Sequence, residues 1–135
     1  MLDKFTVAII DNDPLVIFAT KHMVKACLTA SSILTYQNPE KFIADIEAEE
    51  ISIPSVILCD YDMPEMTGLE VHDNLKNFLG EEENHCCFYV VSSEDNLLLH
   101  SEKFNSDFFC GIWEKSLGVI KVQHLINKSR FNIAS

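Results

Sequence analysis

Asp60 ends an apolar run, Val56-Ile57-Leu58-Cys59, and is followed by Tyr61-Asp62-Met63-Pro64 and then by Gly68. Four apolar residues running into an aspartate and a Pro- and Gly-containing loop describe a buried strand that delivers a carboxylate at its carboxyl end. In open α/β sheets ligands bind at that end, which gives Asp60 a functional weight that a mid-loop acid lacks. Taken alone, the run reads equally well as an acidic strand cap. Other strand-like runs also end on polar residues: Asp11-Asn12-Asp13 follows Thr6 to Ile10, Ser92-Ser93-Glu94 follows Cys86 to Val91, and Glu114-Lys115-Ser116 follows Asp107 to Trp113.

Carboxylates crowded in one pocket repel, which favours either proton uptake or a bound cation. A hard cation such as Mg²⁺ takes oxygen ligands in octahedral geometry, commonly one or two carboxylates with waters and a phosphate oxygen. Acids, the Ser92 hydroxyl and the Lys115 ammonium in one place therefore suit phosphoryl transfer. Asp60 would attack phosphorus in line, Mg²⁺ and Lys115 would neutralise its equatorial oxygens, and Ser92 would hydrogen-bond one of them. Singly, Lys115 is a surface charge, Ser92 a helix cap and Asp11 a loop residue; the inference rests on their joint placement.

That placement depends on the elements between them. Pro14 suits the first turn of a helix whose apolar positions are Leu15, Phe18, Ala19, Met23 and Cys27. A short second strand is expected at Ile33–Tyr36, then a helix capped by Asn38, with Pro39 at its first position and Phe42, Ile43 and Ile46 on its buried face, through to about Glu50. After Gly68, the residues Leu69, Val71, Leu75, Phe78 and Leu79 mark an amphipathic helix closed by Gly80. A helix from Asp95 to about Phe104 and a last one to about Arg130 complete the alternation. Five strands alternating with five helices predict an α/β fold with a doubly wound, five-stranded parallel sheet. Strand order 2-1-3-4-5 puts its switch point between strands one and three, beside Asp11 and Asp60.

At 135 residues the chain is expected to be a single domain without a separate output domain. Its formal charge of −11 argues against non-specific nucleic-acid binding and is compatible with a cation-holding pocket. No apolar run approaches the ~20 residues of a membrane span, and the first residues lack a signal-peptide pattern, so a cytoplasmic location with no membrane association is expected. Cys27, Cys59, Cys86, Cys87 and Cys110 are odd in number and lack CxxC spacing, as small buried hydrophobes in a reducing compartment would. His22, His72, His85, His100 and His124 have no second ligand at metal spacing and read as surface residues.

With Ile9-Ile10-Asp11-Asn12, Leu58-Cys59-Asp60-Tyr61-Asp62-Met63-Pro64 with Gly68, Val91-Ser92-Ser93 and Glu114-Lys115-Ser116, the chain resembles the receiver domains of two-component response regulators, the CheY-like group with a flavodoxin-like fold. The resemblance runs from about residue 5 to about residue 128. It implies that Asp60 accepts phosphate from a histidine kinase or phosphotransfer protein and that the domain signals to a downstream protein as a monomer or weak homodimer. It also implies that Asp11, Asn12, Asp60 and the backbone carbonyl of Asp62 hold Mg²⁺, and that Ser92 and Lys115 contact the phosphoryl group. Such a domain is a phosphoacceptor, with at most self-phosphorylation and self-dephosphorylation, rather than an enzyme.

Three positions depart from the family pattern. Asn12 stands where a second acid is usual, which removes one negative charge and predicts weaker Mg²⁺ affinity; Asp13 compensates only if its side chain turns inward. Ser116 stands where a proline with a cis bond is usual, and a non-proline cis bond costs about 3 to 4 kcal/mol. Ile112 occupies the switch position on strand five, normally aromatic, while Trp113 should point to the opposite face. Two other readings compete. A degenerate receiver would bind partners without phosphorylation through Leu97, Leu98, Ile112 and Ile120, whereas a haloacid-dehalogenase-type phosphatase would need an acidic pair after Lys115 that this chain lacks. A flavin-binding flavodoxin fits less well, because the loop after strand one is neither hydroxyl-rich nor Gly-rich.

Overall fold

The computed structural model describes residues 5–27, 32–79, 86–92 and 102–114. Its elements are β1 (Thr6–Ile10), α1 (Pro14–Cys27), β2 (Ser32–Tyr36), α2 (Pro39–Glu47), β3 (Val56–Asp60), α3 (Gly68–Phe78), β4 (Cys87–Ser92) and β5 (Phe109–Glu114). The strands form one sheet in the order β2-β1-β3-β4-β5, with every neighbouring pair parallel. Sheet and order are those expected from the alternation of elements. The expected last helix lies outside the described residues, as does most of the expected fourth, of which Glu102 and Lys103 are described and are 3₁₀.

Strand alternation divides the core in two. Val7, Ile9, Val56, Leu58, Cys87, Tyr89 and Trp113 face α1, and Ala8, Ile10, Ile57, Cys59, Phe88 and Val90 face α2 and α3. Burial on both faces explains why β1 and β3 read as continuous apolar runs rather than alternating ones. The buried faces of α2 and α3 are set by their caps. Asn38 accepts the Glu40 amide at the start of α2, with Pro39 at the first position, and Thr67 and Glu70 form a reciprocal capping box at the start of α3. Near its far end α2 is tied to β2, where Tyr36 donates its hydroxyl to Asp45 Oδ2 at 2.7 Å. The helix stops at Glu47 rather than about Glu50, because Glu49 takes a left-handed conformation (φ 59°) and the Glu50 and Ile51 amides fold back onto the Asp45 carbonyl.

Two sequence expectations are corrected. α1 does not bury Leu15, Phe18 and Ala19: it buries Ile17 and Val24, one heptad apart, with Met23 half-buried beside them, and leaves Leu15 77% and Phe18 68% exposed. Five consecutive apolar residues, Leu15 to Ala19, offer a stripe on either side of the helix. Packing of β-branched Ile17 and Val24 on the sheet selects one side. His72 is not a surface residue. It has no exposed surface and sits among Phe88, Phe104, Phe108 and Phe109, on the stripe it shares with Val71 and Leu75. His22 is exposed, and His85, His100 and His124 lie outside the described residues. Cys59, Cys86 and Cys87 are buried thiols and Cys110 is half-buried.

Gly68 fixes how closely α3 approaches β3. A Cβ there would lie 3.0 Å from the Asp60 carbonyl oxygen and 3.1 Å from Tyr61 Cα, both backbone atoms that cannot step aside. The Gly68→Ala variant is expected to lose about 1 to 3 kcal/mol of stability, as overpacked sites do, read from the midpoint of chemical denaturation.

Candidate functional site

The register of the sheet brings the polar strand ends together. Ile10 pairs with Cys59, so the next residues, Asp11 and Asp60, leave adjacent strands side by side. Asp60 pairs with Val91, and Ser92 is the next residue of β4. Ser92 in turn pairs with Glu114, the last described residue of β5. Lys115 and Ser116, and with them the geometry of their peptide bond, lie outside the described residues.

Asp11, Asp60 and Ser92 are each only 3% exposed. Two almost fully buried carboxylates on adjacent strands make a strongly negative spot, and the thiol beside them registers it: burial, and then the charges of Asp60 and Asp11, push the Cys59 thiol well above its usual range. The Asp11 amide donates to the Tyr36 carbonyl oxygen, and Asp11 Oδ1 accepts the Asp13 amide at 2.9 Å. Asp13 is exposed, and its Oδ1 accepts the Leu15 amide at 2.9 Å, so that this carboxylate caps α1 ahead of Pro14. Asn12 and Asp62 are exposed. The loop after Asp60 is pinned at both ends, since the Tyr61 amide donates to the Val91 carbonyl and the Gly68 amide to the Tyr61 carbonyl.

Among the described residues no three His, Cys, Asp or Glu side chains converge as a metal-holding group. The donors at hand are the paired carboxylates of Asp11 and Asp60, with the Asn12 amide oxygen and the Asp62 carbonyl in the adjoining loops. Two carboxylates with neutral oxygens and waters are a sufficient set for Mg²⁺, which demands oxygen donors but few of them charged. On β5, Ile112 pairs with Val90 and packs half-buried against the α2 and α3 side of the core. Trp113 points to the opposite side, against Tyr89, as strand alternation requires.

Sequence reasoning missed two features outside these residues. One is the exposed side of α1, where the Phe18 and His22 rings stack 5.9 Å apart immediately after the acidic loop. The other is a polar chain inside the core, in which His72 Nδ1 lies 2.9 Å from Asp73 Oδ1 and Nε2 lies 2.7 Å from Ser106 Oγ. The helical stripe through Val71 and Leu75 could have placed His72 inward; nothing local could have named Ser106.

Among described residues no helix is long and apolar enough to cross a membrane. No curated protein matches the chain. Solved structures do. A two-component response regulator from Cytophaga hutchinsonii superposes with a TM-score of 0.80 at 22% identity, covering 96% of this chain and 99% of that one. A DNA-binding response regulator of the LuxR family from Staphylococcus aureus gives a TM-score of 0.71 at 22% identity, covering 93% and 98%. The N-terminal domain of a response regulator/sensory box/GGDEF three-domain protein from Carboxydothermus hydrogenoformans gives 0.77 at 13% identity, covering 96% and 97%. At these identities the likeness is one of fold. The response regulator receiver domain model matches the sequence itself over residues 7–105, which takes in β1 through β4 and both buried acids, and the chain belongs to that family.

Proposed function

We propose that this receiver takes a phosphoryl group onto Asp60 from a phosphohistidine donor and passes the signal on by binding another protein. The observation that carries the proposal is the pair of buried carboxylates, Asp11 and Asp60, on adjacent strand ends with the buried Ser92 hydroxyl one strand away. A carboxylate oxygen of Asp60 attacks phosphorus as the nitrogen–phosphorus bond of the donor breaks. An acyl phosphate forms, and the departing imidazole ends neutral by keeping the proton on its other nitrogen. Ser92 donates its hydroxyl to one phosphoryl oxygen, and Lys115, which follows β5, offsets charge on another. Asp11, Asn12, Asp60 and the Asp62 carbonyl would hold Mg²⁺, which when bound supplies positive charge opposite the transferred group. Asp13 is committed to capping α1.

Because Asp60 is 3% exposed, its donor has to seat closely around the site. The uncovered side of α1, with Leu15 and Phe18 starting two residues beyond Asp13, offers an apolar seat beside the acids. A second reading has one observation in its favour. Asn12 leaves the site one acid short, and a receiver that no longer takes phosphate would bind its partner equally well with or without Mg²⁺ and phosphodonor.

Intact-protein mass after incubation with acetyl phosphate separates the two. A single phosphoryl adduct that needs Mg²⁺ and disappears in Asp60→Asn is expected, with Asn12→Asp tightening Mg²⁺ binding by about tenfold through the restored charge. Failure to form an adduct from acetyl phosphate and from a phosphohistidine protein alike would favour the phosphorylation-independent module. For the seat on α1, Phe18→Glu should slow transfer from a phosphohistidine protein by about tenfold relative to transfer from acetyl phosphate, the scale of one interface anchor.

A further inference from the structure

Among the described residues His72 is the one buried histidine, and the Asp60 site does not use it; its surroundings define its protonation state. Nδ1 faces the Asp73 carboxylate at 2.9 Å, so Nδ1 carries the hydrogen and donates it. Nε2 is then the acceptor and takes the Ser106 hydroxyl at 2.7 Å. Ser106 Oγ in turn accepts the amide of Phe109, the first residue of β5, at 3.2 Å. A single chain of hydrogen bonds therefore runs from the start of β5 through Ser106 and His72 to the surface of α3. One turn along α3, the Lys76 ammonium donates to the Asn105 carbonyl. Residues 104–109 are thus held to α3 by polar contacts at Asn105 and Ser106, with Phe104, Phe108 and Phe109 closing around the imidazole at ring-centroid distances of 5.4, 5.0 and 6.0 Å.

A Ser–His–Asp order of this kind elsewhere activates a serine for attack. Here the Ser106 oxygen is engaged by the Phe109 amide and the ring is walled in by phenylalanines, so the chain holds structure rather than prepares a nucleophile.

We propose that His72 is a proton-controlled latch, which holds residues 104–109 and the start of β5 against α3 while neutral and lets them go when Nε2 takes a proton from solvent. Protonation turns Nε2 into a donor towards the second lone pair of Ser106 Oγ, so the Ser106 hydroxyl loses its acceptor, and it leaves a cation with no exposed surface, whose nearest compensating charge, on Asp73, is already engaged at Nδ1 and 60% exposed to water. Lifting the segment rehydrates the cation at the expense of apolar contacts. The charges acting on the ring are those of Asp73 and Lys76 on its own helix. Phe88 on β4 is uncharged, and the charged residues described on the segment, Glu102, Lys103 and Asp107, are exposed and are not its hydrogen-bond partners.

Burial holds the imidazole below its ordinary value of 6.5, against the opposing pull of Asp73. In the open form it returns to that ordinary value, so the open form binds the proton first. The latch is at full strength above about pH 6.5 and weakens as pH falls from there towards the lowered value. This behaviour does not depend on phosphorylation of Asp60.

Amide hydrogen exchange of the full chain between pH 7.5 and 5, corrected for intrinsic rates, tests the latch alongside an NMR titration of the His72 ring. The opening equilibrium of residues 104–109 should rise below about pH 6.5, by up to about tenfold per pH unit for a single proton, with the ring and the segment sharing one midpoint. His72→Gln, which keeps an acceptor but cannot take a proton, should abolish that dependence, and Ser106→Ala should raise the opening of the segment by about tenfold above pH 6.5, the scale of one hydrogen bond. Opening that is independent of pH, a dependence that survives in His72→Gln, or a ring that titrates without any change in the segment would each overturn the proposal. If His72→Gln does not fold, coincidence of the two midpoints in the unaltered protein decides the matter.

Discussion

Everything at the carboxyl edge of this sheet depends on the pairing of β1 with β3. The two strands are separated in sequence by a helix, a strand and another helix, yet they lie side by side because both intervening crossovers return the chain to the same sheet. Their pairing is in turn enforced by burial on both faces, which leaves neither strand an alternative position without exposing apolar side chains. Two carboxylates then end up adjacent, with only 3% of each exposed. Placing two buried acids side by side works against folding unless their charges are met by partners.

The sequence made the framework legible where local and tertiary preferences coincide. β1, β3 and β4 are short apolar runs ending on polar residues, and α2 announces itself through Asn38, Pro39 and a clean stripe of Phe42, Ile43 and Ile46. α1 was legible as a helix but not in its rotation, because apolar residues fill two of its sides and only the sheet chooses between them. His72 was misplaced for a related reason. Its residue type suggested the surface, whereas the groups that make burial tolerable, Ser106 and three of its four phenylalanine neighbours, come from a segment more than 30 positions further along, with Ser106 itself 34 positions away. Of the site, the acids and Ser92 could be read as strand ends. The commitment of Asp13 to the cap of α1 could not, because a loop aspartate before a proline looks the same whether it turns inward or caps.

Asn12 has a particular meaning in this setting. Asp11 is buried and has its Oδ1 bonded to the loop backbone, so its position is decided by the fold, whereas Asn12 is exposed and is not needed to hold β1 in place. Asn12, one of the three positions that depart from the expected pattern, is thus one whose change costs the structure little and bears on the proposed metal set only through its charge. The same separation applies on β5. Ile112 fills space on the α2 and α3 side, and the aromatic bulk next to it, Trp113, faces the other way.

That bulk is the single tryptophan of the chain. Trp113 is 5% exposed, pairs with Val91, the residue before Ser92, and lies 4.9 Å from the Tyr89 ring. Its indole nitrogen has no hydrogen-bond partner among the described residues. One chromophore, shielded from water and sensitive to any donor or acceptor that comes within reach, therefore stands next to the end of β4. Excited at the red edge of the indole band, where the three tyrosines do not absorb, the unlabelled protein emits from that single point, and its colour and intensity report on the β4–β5 seam.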